Sequence, residues 1–246
     1  MKLIDTHSHL YLEDFQEDFD EVLQRLRQNQ VENVLLPNID AGSIGSMMKL
    51  EEQNPELFIP MMGLHPTSVK ENYKQELSLV EQWLEKRKFQ AIGEIGIDLY
   101  WDTSYFQQQV DAFRTQIRWA KELGVPIVIH ARDSFDEIFE VVEKENDDSL
   151  FGVFHSFSGT VEQADHIVGL GFKIGINGIV TFKNSKLDEV VKHIDLDHLL
   201  LETDSPFLAP EPKRGRRNES AFVLYIAEKV AQIYDLDVEE VAERTS

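Results

Sequence analysis

The side chains best equipped for chemistry in this sequence are its histidines and the acids near them. Ile4-Asp5-Thr6-His7-Ser8-His9-Leu10 ends the first apolar run with two imidazoles two residues apart. On an extended strand that spacing points both rings to one face. Three more histidines end or follow short apolar runs: His65 in "GLHP", His130 in "IVIHARD" and His155 in "VFHSFSG". His166, His193 and His198 fall in helical segments or ahead of a strand and read as structural or surface residues. Acids stand in equivalent places, Glu94 in "IGEIGID" and Glu202 and Asp204 in "LETDSP". A single histidine of this kind is usually a hydrogen-bonded structural residue. Five of them, with acids, share a purpose only if the strand ends converge.

The chain has no cysteine, so any metal must be held by nitrogen and oxygen. Imidazole with carboxylate suits zinc, manganese, magnesium or iron in a hydrolytic site. His7, His9, Glu94, His130, His155 and Asp204 are too many for one catalytic zinc that keeps an open position. They suit two divalent ions, Mg2+, Mn2+ or Zn2+, sharing a bridging carboxylate. Glu94 is the expected bridge, with His7, His9 and Asp204 around one ion and His130 and His155 around the other.

Eight short strands are expected to position these groups, at Lys2–Asp5, Asn33–Pro37, Phe58–Met62, Ala91–Ile97, Val125–Ile129, Gly152–Phe154, Lys173–Ile176 and Leu199–Glu202. Amphipathic stretches separate them. In "SYFQQQVDAFRTQIRWAKELG", Phe106, Val110, Phe113, Ile117 and Ala120 share one helical face and Gly124 supplies a stop. Alternating units of this kind in 246 residues predict an α/β fold, a (β/α)8 TIM barrel, as one domain over 1–246. An open doubly wound sheet is the competitor. In a closed barrel the first and last strands are neighbours, which brings His7 and His9 to Asp204.

The composition, 42% hydrophobic and 28% charged, is that of an ordinary globular protein. No apolar stretch is long enough to span a bilayer, and the N-terminus lacks the apolar core of a signal peptide, so the cytoplasm is the expected compartment. A net charge of −21 excludes broad electrostatic attraction to nucleic acid, though not a local basic patch.

The segments "DTHSHL", "GLHP", "GEIGID", "HARD", "HSFSG" and "ETDSPFLAP…RGRRNE", in this order from Ile4 to about Thr245, resemble the signatures of the TatD-type metal-dependent deoxyribonucleases of the amidohydrolase-like superfamily. The resemblance implies a (β/α)8 barrel, a divalent-metal site on the six ligands above, and hydrolysis of DNA phosphodiester bonds, often from the 3′ end. It also implies that His65 is a site histidine outside the principal metal shell. Ser156 and Ser220 depart from the pattern, which has cysteine and proline there in many relatives; neither is an expected ligand. Relatives usually continue through a further short helix beyond "VEEVAERTS", which puts closure of the barrel in question.

Under this reading Asp204 takes the proton of the attacking water, and His65 donates a hydrogen bond to a phosphoryl or leaving oxygen. Glu202, two residues before Asp204, orients a ligand or water. Asp5 and Asp98 are either partners of the ligands or turn formers. Lys213-Arg214-Gly215-Arg216-Arg217 is either a phosphate clamp, through Arg214, Arg216 and Arg217, or a solvated loop paired to Glu211 and Glu219. Tyr100 and Trp101 either stack on an unpaired base or pack over the barrel mouth. The expected partner is DNA, single-stranded or at 3′ ends. The competing readings are a small-molecule hydrolase for a cyclic amide, lactone or phosphoester on the same barrel, and a metal-binding protein without catalysis. Superfamily members of the first sort typically bridge their metals with a carbamylated lysine at the fourth strand, where this chain has Glu94.

Overall fold

Alternating β-branched runs and amphipathic stretches fold into eight parallel strands, each followed by helical structure. The computed structural model describes residues Met1–Ser246. The strands are β1 (Leu3–Asp5), β2 (Val31–Pro37), β3 (Phe58–Met61), β4 (Ile92–Asp98), β5 (Ile127–Arg132), β6 (Gly152–Phe154), β7 (Lys173–Ile176) and β8 (Leu199–Leu201). Between them run α1 (Phe19–Gln28), α2 (Ala41–Gln53), α3 (Tyr73–Lys86), α4 (Phe106–Leu123), α5 (Phe135–Glu145), α6 (Val161–Gly169) and α7 (Leu187–Val191). After β8 come α8 (Val223–Tyr234) and α9 (Val238–Arg244). No helix is long and apolar enough to cross a membrane.

Regular ladders join β1-β2-β3 and β4-β5-β6-β7-β8 as two parallel sheets. Two seams close them into a TIM barrel. At one, Met62 N donates to Ala91 O (3.2 Å) and Gly93 N to Met62 O (3.1 Å). At the other, Thr6 N donates to Leu201 O (3.0 Å), Asp204 N to His7 O (2.9 Å) and His9 N to Ser205 O (2.8 Å). The barrel is therefore closed within this chain, and the open doubly wound sheet does not hold. All eight expected strands form, β6 and β7 with the expected bounds and the other six with shifted ends. Pairing of Gly96 with His130 and of Asp98 with Arg132 carries β5 beyond Ile129, so His130 stands inside the strand and not after it.

Every residue of β4 is buried, Glu94 and Asp98 included. Close packing here demands glycine. At Gly96 (φ 144°) a Cβ would lie 2.1 Å from the His130 carbonyl oxygen.

The α4 helix ends as its sequence predicts, with Gly124 left-handed at φ 65°. Its buried face differs from a purely apolar stripe. Gln109 and Gln116 lie fully inside it. Gln109 accepts from Asp98 N (2.8 Å) and donates to Asp98 O (3.1 Å); Gln116 does the same for Leu64 N (2.7 Å) and Leu64 O (3.2 Å). Each amide satisfies a backbone pair at a strand end that carries a site residue.

Candidate metal centre

All six expected ligands and His65 converge at the C-terminal mouth of the barrel. Glu94, from the middle of β4, stands at their centre. Its Oε2 lies 3.1 Å from His7 Nε2 and 3.7 Å from His9 Nε2. Its Oε1 lies 2.7 Å from His130 Nδ1, 3.4 Å from His155 Nε2 and 3.3 Å from His65 Nε2. Asp204 Oδ1 completes the first group at 3.9 Å from His7 Nε2 and 3.8 Å from His9 Nε2. One carboxylate thus faces two sets of nitrogens with its two oxygens. The His7 and His155 rings stack at 3.5 Å between the sets.

The donor set fits divalent metal. His7 is completely buried, yet neither of its ring nitrogens makes a directed hydrogen bond. Its Nε2 is near Glu94 without pointing along a hydrogen bond, which is how lone pairs aimed at a common third body are arranged. By distance, the ligand atoms of His7, His9 and Glu94 could share an ion, as could those of His7, His155 and Asp204, and those of His65, Glu94 and His130.

Outer carboxylates stand behind two of these rings. Asp98 Oδ2 sits 2.9 Å from His130 Nε2, while Asp98 Oδ1 accepts from Tyr100 N (3.1 Å) and Trp101 N (3.2 Å). Glu202 Oε1 sits 3.1 Å from His155 Nδ1 and accepts from Ser156 N (2.5 Å). Gly175 makes room for it, since a Cβ there would lie 2.5 Å from Glu202 Oε2. Asp5 accepts from Thr203 N (2.8 Å) and Thr203 Oγ1 (2.6 Å), tying β1 to the loop that bears Asp204. Asn218 holds that loop from the other side, donating to Thr203 O (2.8 Å) and Phe207 O (2.6 Å). Asp204 itself is left-handed at φ 56°, a conformation aspartate tolerates better than most residues.

His65 is arranged differently. Its Nδ1 accepts from Thr67 N at 3.1 Å, with Thr67 Oγ1 at 2.7 Å. A neutral ring accepting at Nδ1 carries its proton on Nε2. His65 therefore presents an N–H donor to the cavity in place of a lone pair.

Electrostatics follow from burial and proximity. Burial opposes charge on Glu94, but the imidazoles of His65, His155 and His7 outweigh it and hold the carboxyl well below its usual range. Burial pushes His9 down to about 4 and raises Asp204 to about 7. His155 is also disfavoured by burial, yet the Glu202 and Glu94 carboxylates raise it to about 10. Divalent cations would meet the negative poles of this array directly.

The mouth carries aromatic groups. Trp101 is 69% exposed and Tyr100 53%. Arg132, at the end of β5, lies 3.9 Å over the Tyr100 ring and 5.3 Å from Trp101. Phe207, three residues past Asp204, is 55% exposed with its ring 6.5 Å from His9. Neither Arg132 nor Phe207 figures among the sequence-derived candidates, although "HARD" and "TDSPF" place them next to ligands.

Among the cations after β8, Arg217 is arranged as neither sequence reading has it. Arg217 grips Asp18 with two bonds of 2.7 Å and covers the Phe15 ring at 4.5 Å, so it braces the loop and is not a free phosphate clamp. Glu219 is paired by Arg25 (2.7 Å) and not by the basic loop. Arg214 lies over Phe182 at 3.8 Å. Arg216 shares a surface hollow with Glu13, Asp14, Glu17 and Asp18.

A family profile described as TatD related DNase matches residues 4–246. The chain is 37% identical over 245 residues to the uncharacterized metal-dependent hydrolase YabD of Bacillus subtilis, covering 99% of this chain and 96% of that protein. Among solved structures, the TatD homologue YjjV of Escherichia coli K12 superposes with a TM-score of 0.92 at 30% identity, over 99% of this chain and 94% of that one. A TatD family hydrolase from Entamoeba histolytica superposes with a TM-score of 0.86 at 22% identity, over 100% of this chain and 95% of that one, which is a likeness of fold.

Proposed function

The chain belongs to the TatD-related DNase family, and from that premise we propose that it is a divalent-metal-dependent hydrolase cleaving DNA phosphodiester bonds at single-stranded 3′ ends. The observation that carries this reading is Glu94, whose two oxygens face two separate sets of histidine nitrogens. A carboxylate so placed would hold a divalent ion with each oxygen.

Bound there, divalent ions supply Lewis-acid stabilisation of charge on phosphoryl oxygens and make water acidic enough to attack at neutral pH. The protein's own groups do the rest. Asp204 is the carboxylate at the solvent edge, its side chain 14% exposed against 3% for Glu94, and it takes the proton of the attacking water. His65, also at the edge, donates its Nε2–H to a phosphoryl or leaving oxygen. Glu202 and Asp98 hold His155 and His130 in place. Trp101, steadied through Asp98, stacks on an unpaired base, while Arg214 and Arg216, in the stretch between Asp204 and α8, meet the backbone phosphates.

The test is cleavage of 5′-end-labelled single-stranded DNA by chelator-stripped protein with Mg2+, Mn2+ or Zn2+ restored singly, beside Glu94→Gln. The expected result is an ion-dependent ladder shortening from the 3′ end, slowed at least ~10³-fold in the variant with DNA affinity retained. No cleavage with any ion, despite measured metal uptake, would overturn the nuclease reading in favour of a small-molecule substrate.

A further inference from the structure

Tyr11 follows His9 by two residues and is 7% exposed at the wall of the cavity. Its hydroxyl lies 2.5 Å from the Pro37 carbonyl oxygen and 2.8 Å from His9 Nδ1. A phenol has one proton to give. The Pro37 carbonyl can only accept, so that proton goes to it; otherwise two oxygens would face each other at 2.5 Å with no hydrogen between them. The Tyr11 oxygen is left as an acceptor toward His9, and His9 must carry its proton on Nδ1. The Nε2 lone pair then points to the opposite side of the ring, where Glu94 Oε2 and Asp204 Oδ1 lie at 3.7 and 3.8 Å.

We infer that Tyr11 is a positioning residue that holds His9 in the Nδ1–H tautomer and so keeps the Nε2 lone pair turned into the cavity. This rests on the metal-centre reading proposed above but not on the identity of the substrate. The chain Pro37–Tyr11–His9 runs from the end of β2 to the end of β1, so the backbone of a neighbouring strand dictates which nitrogen of a ligand is free. No carboxylate serves His9 in this role, in contrast to Asp98 at His130 and Glu202 at His155. A neutral phenol anchored on a carbonyl orients the ring without adding negative charge to the site.

The experiment uses the full chain, metal-free and labelled with 15N-histidine. Long-range 1H–15N spectra report which nitrogen of each ring carries the proton, with His9 assigned by comparison with His9→Gln. The wild type is expected to show His9 as the Nδ1–H form. Tyr11→Phe, which keeps the ring and loses the hydroxyl, is expected to shift His9 toward a mixture and to weaken Zn2+ or Mn2+ binding, read by competition with a chelating dye, at least about tenfold. The thermal midpoint serves as the folding control. An Nε2–H signal for His9 in the wild type would overturn the inference. So would a Tyr11→Phe protein with unchanged tautomer and unchanged affinity. If the variant does not fold, the wild-type spectrum decides alone. If the wild type takes up no ion, the metal reading falls, and the tautomer spectrum still decides whether Tyr11 sets the ring.

Discussion

His9 and His65 stand on different walls of one cavity, each with Nε2 facing Glu94, at 3.7 and 3.3 Å. Their outer nitrogens are treated in opposite ways. His9 Nδ1 meets a hydroxyl oxygen whose own proton is engaged at Pro37, whereas His65 Nδ1 meets the backbone N–H of Thr67. The first ring presents a lone pair to the cavity and the second an N–H. An imidazole's chemical role is thus decided on the side facing away from the chemistry, by whether the protein offers an acceptor or a donor there.

Substituting His9 gives the largest expected effect. His9→Ala should lower the bound metal left after dialysis, measured by elemental analysis, and slow hydrolysis by roughly 10³-fold or more. His65→Ala should leave metal content at the wild-type level while slowing turnover by about 10²-fold, a loss in kcat more than in KM. Metal loss in the second variant, or full retention in the first, would erase the distinction between the two rings. The smallest change sharpens it. Thr67→Val removes the hydroxyl near His65 Nδ1 but keeps the backbone N–H, so the rate constant for hydrolysis should change by less than about threefold. A larger loss would move control of the His65 tautomer from the backbone to the side chain.

Much of the site is legible in the sequence because strand ends in a barrel share one mouth, so the residues after each apolar run can be collected without knowing the packing. His7, His9, Glu94, His130, His155 and Asp204 are found in this way. The groups that orient them are not. Asp5 and Asp98 look the same in sequence as turn formers, and only the pairing of Asp5 with Thr203, 198 positions away, or of Asp98 with His130 separates the two roles. Gln109 and Gln116 are not among the apolar residues that mark the inner face of their helix, yet both are buried against strand ends. Tyr11 sits beside the most conspicuous motif of the chain, but its partner Pro37 belongs to another strand. Arg217 shows the converse failure. A run of cations suggests an anion ligand, and no local pattern discloses that Asp18 already holds one of them.

The two seams of the barrel have a mechanical consequence. His7, His9 and His65 come from the three-stranded sheet, and Glu94, His130, His155 and Asp204 from the five-stranded one or the loop that follows it. Between β3 and β4 the backbone has a short bridge in place of a ladder, spanned from outside by α4, whose Gln116 and Gln109 grasp one strand end on each side. Between β1 and β8 the α8 helix packs against both strands, and Asp5–Thr203 and Ser8–Ser205 lock the gap from within. Ions held by donors from both sheets would act as rivets across these joints, so a loaded site would also fasten the barrel and couple metal binding to the stiffness of the whole shell.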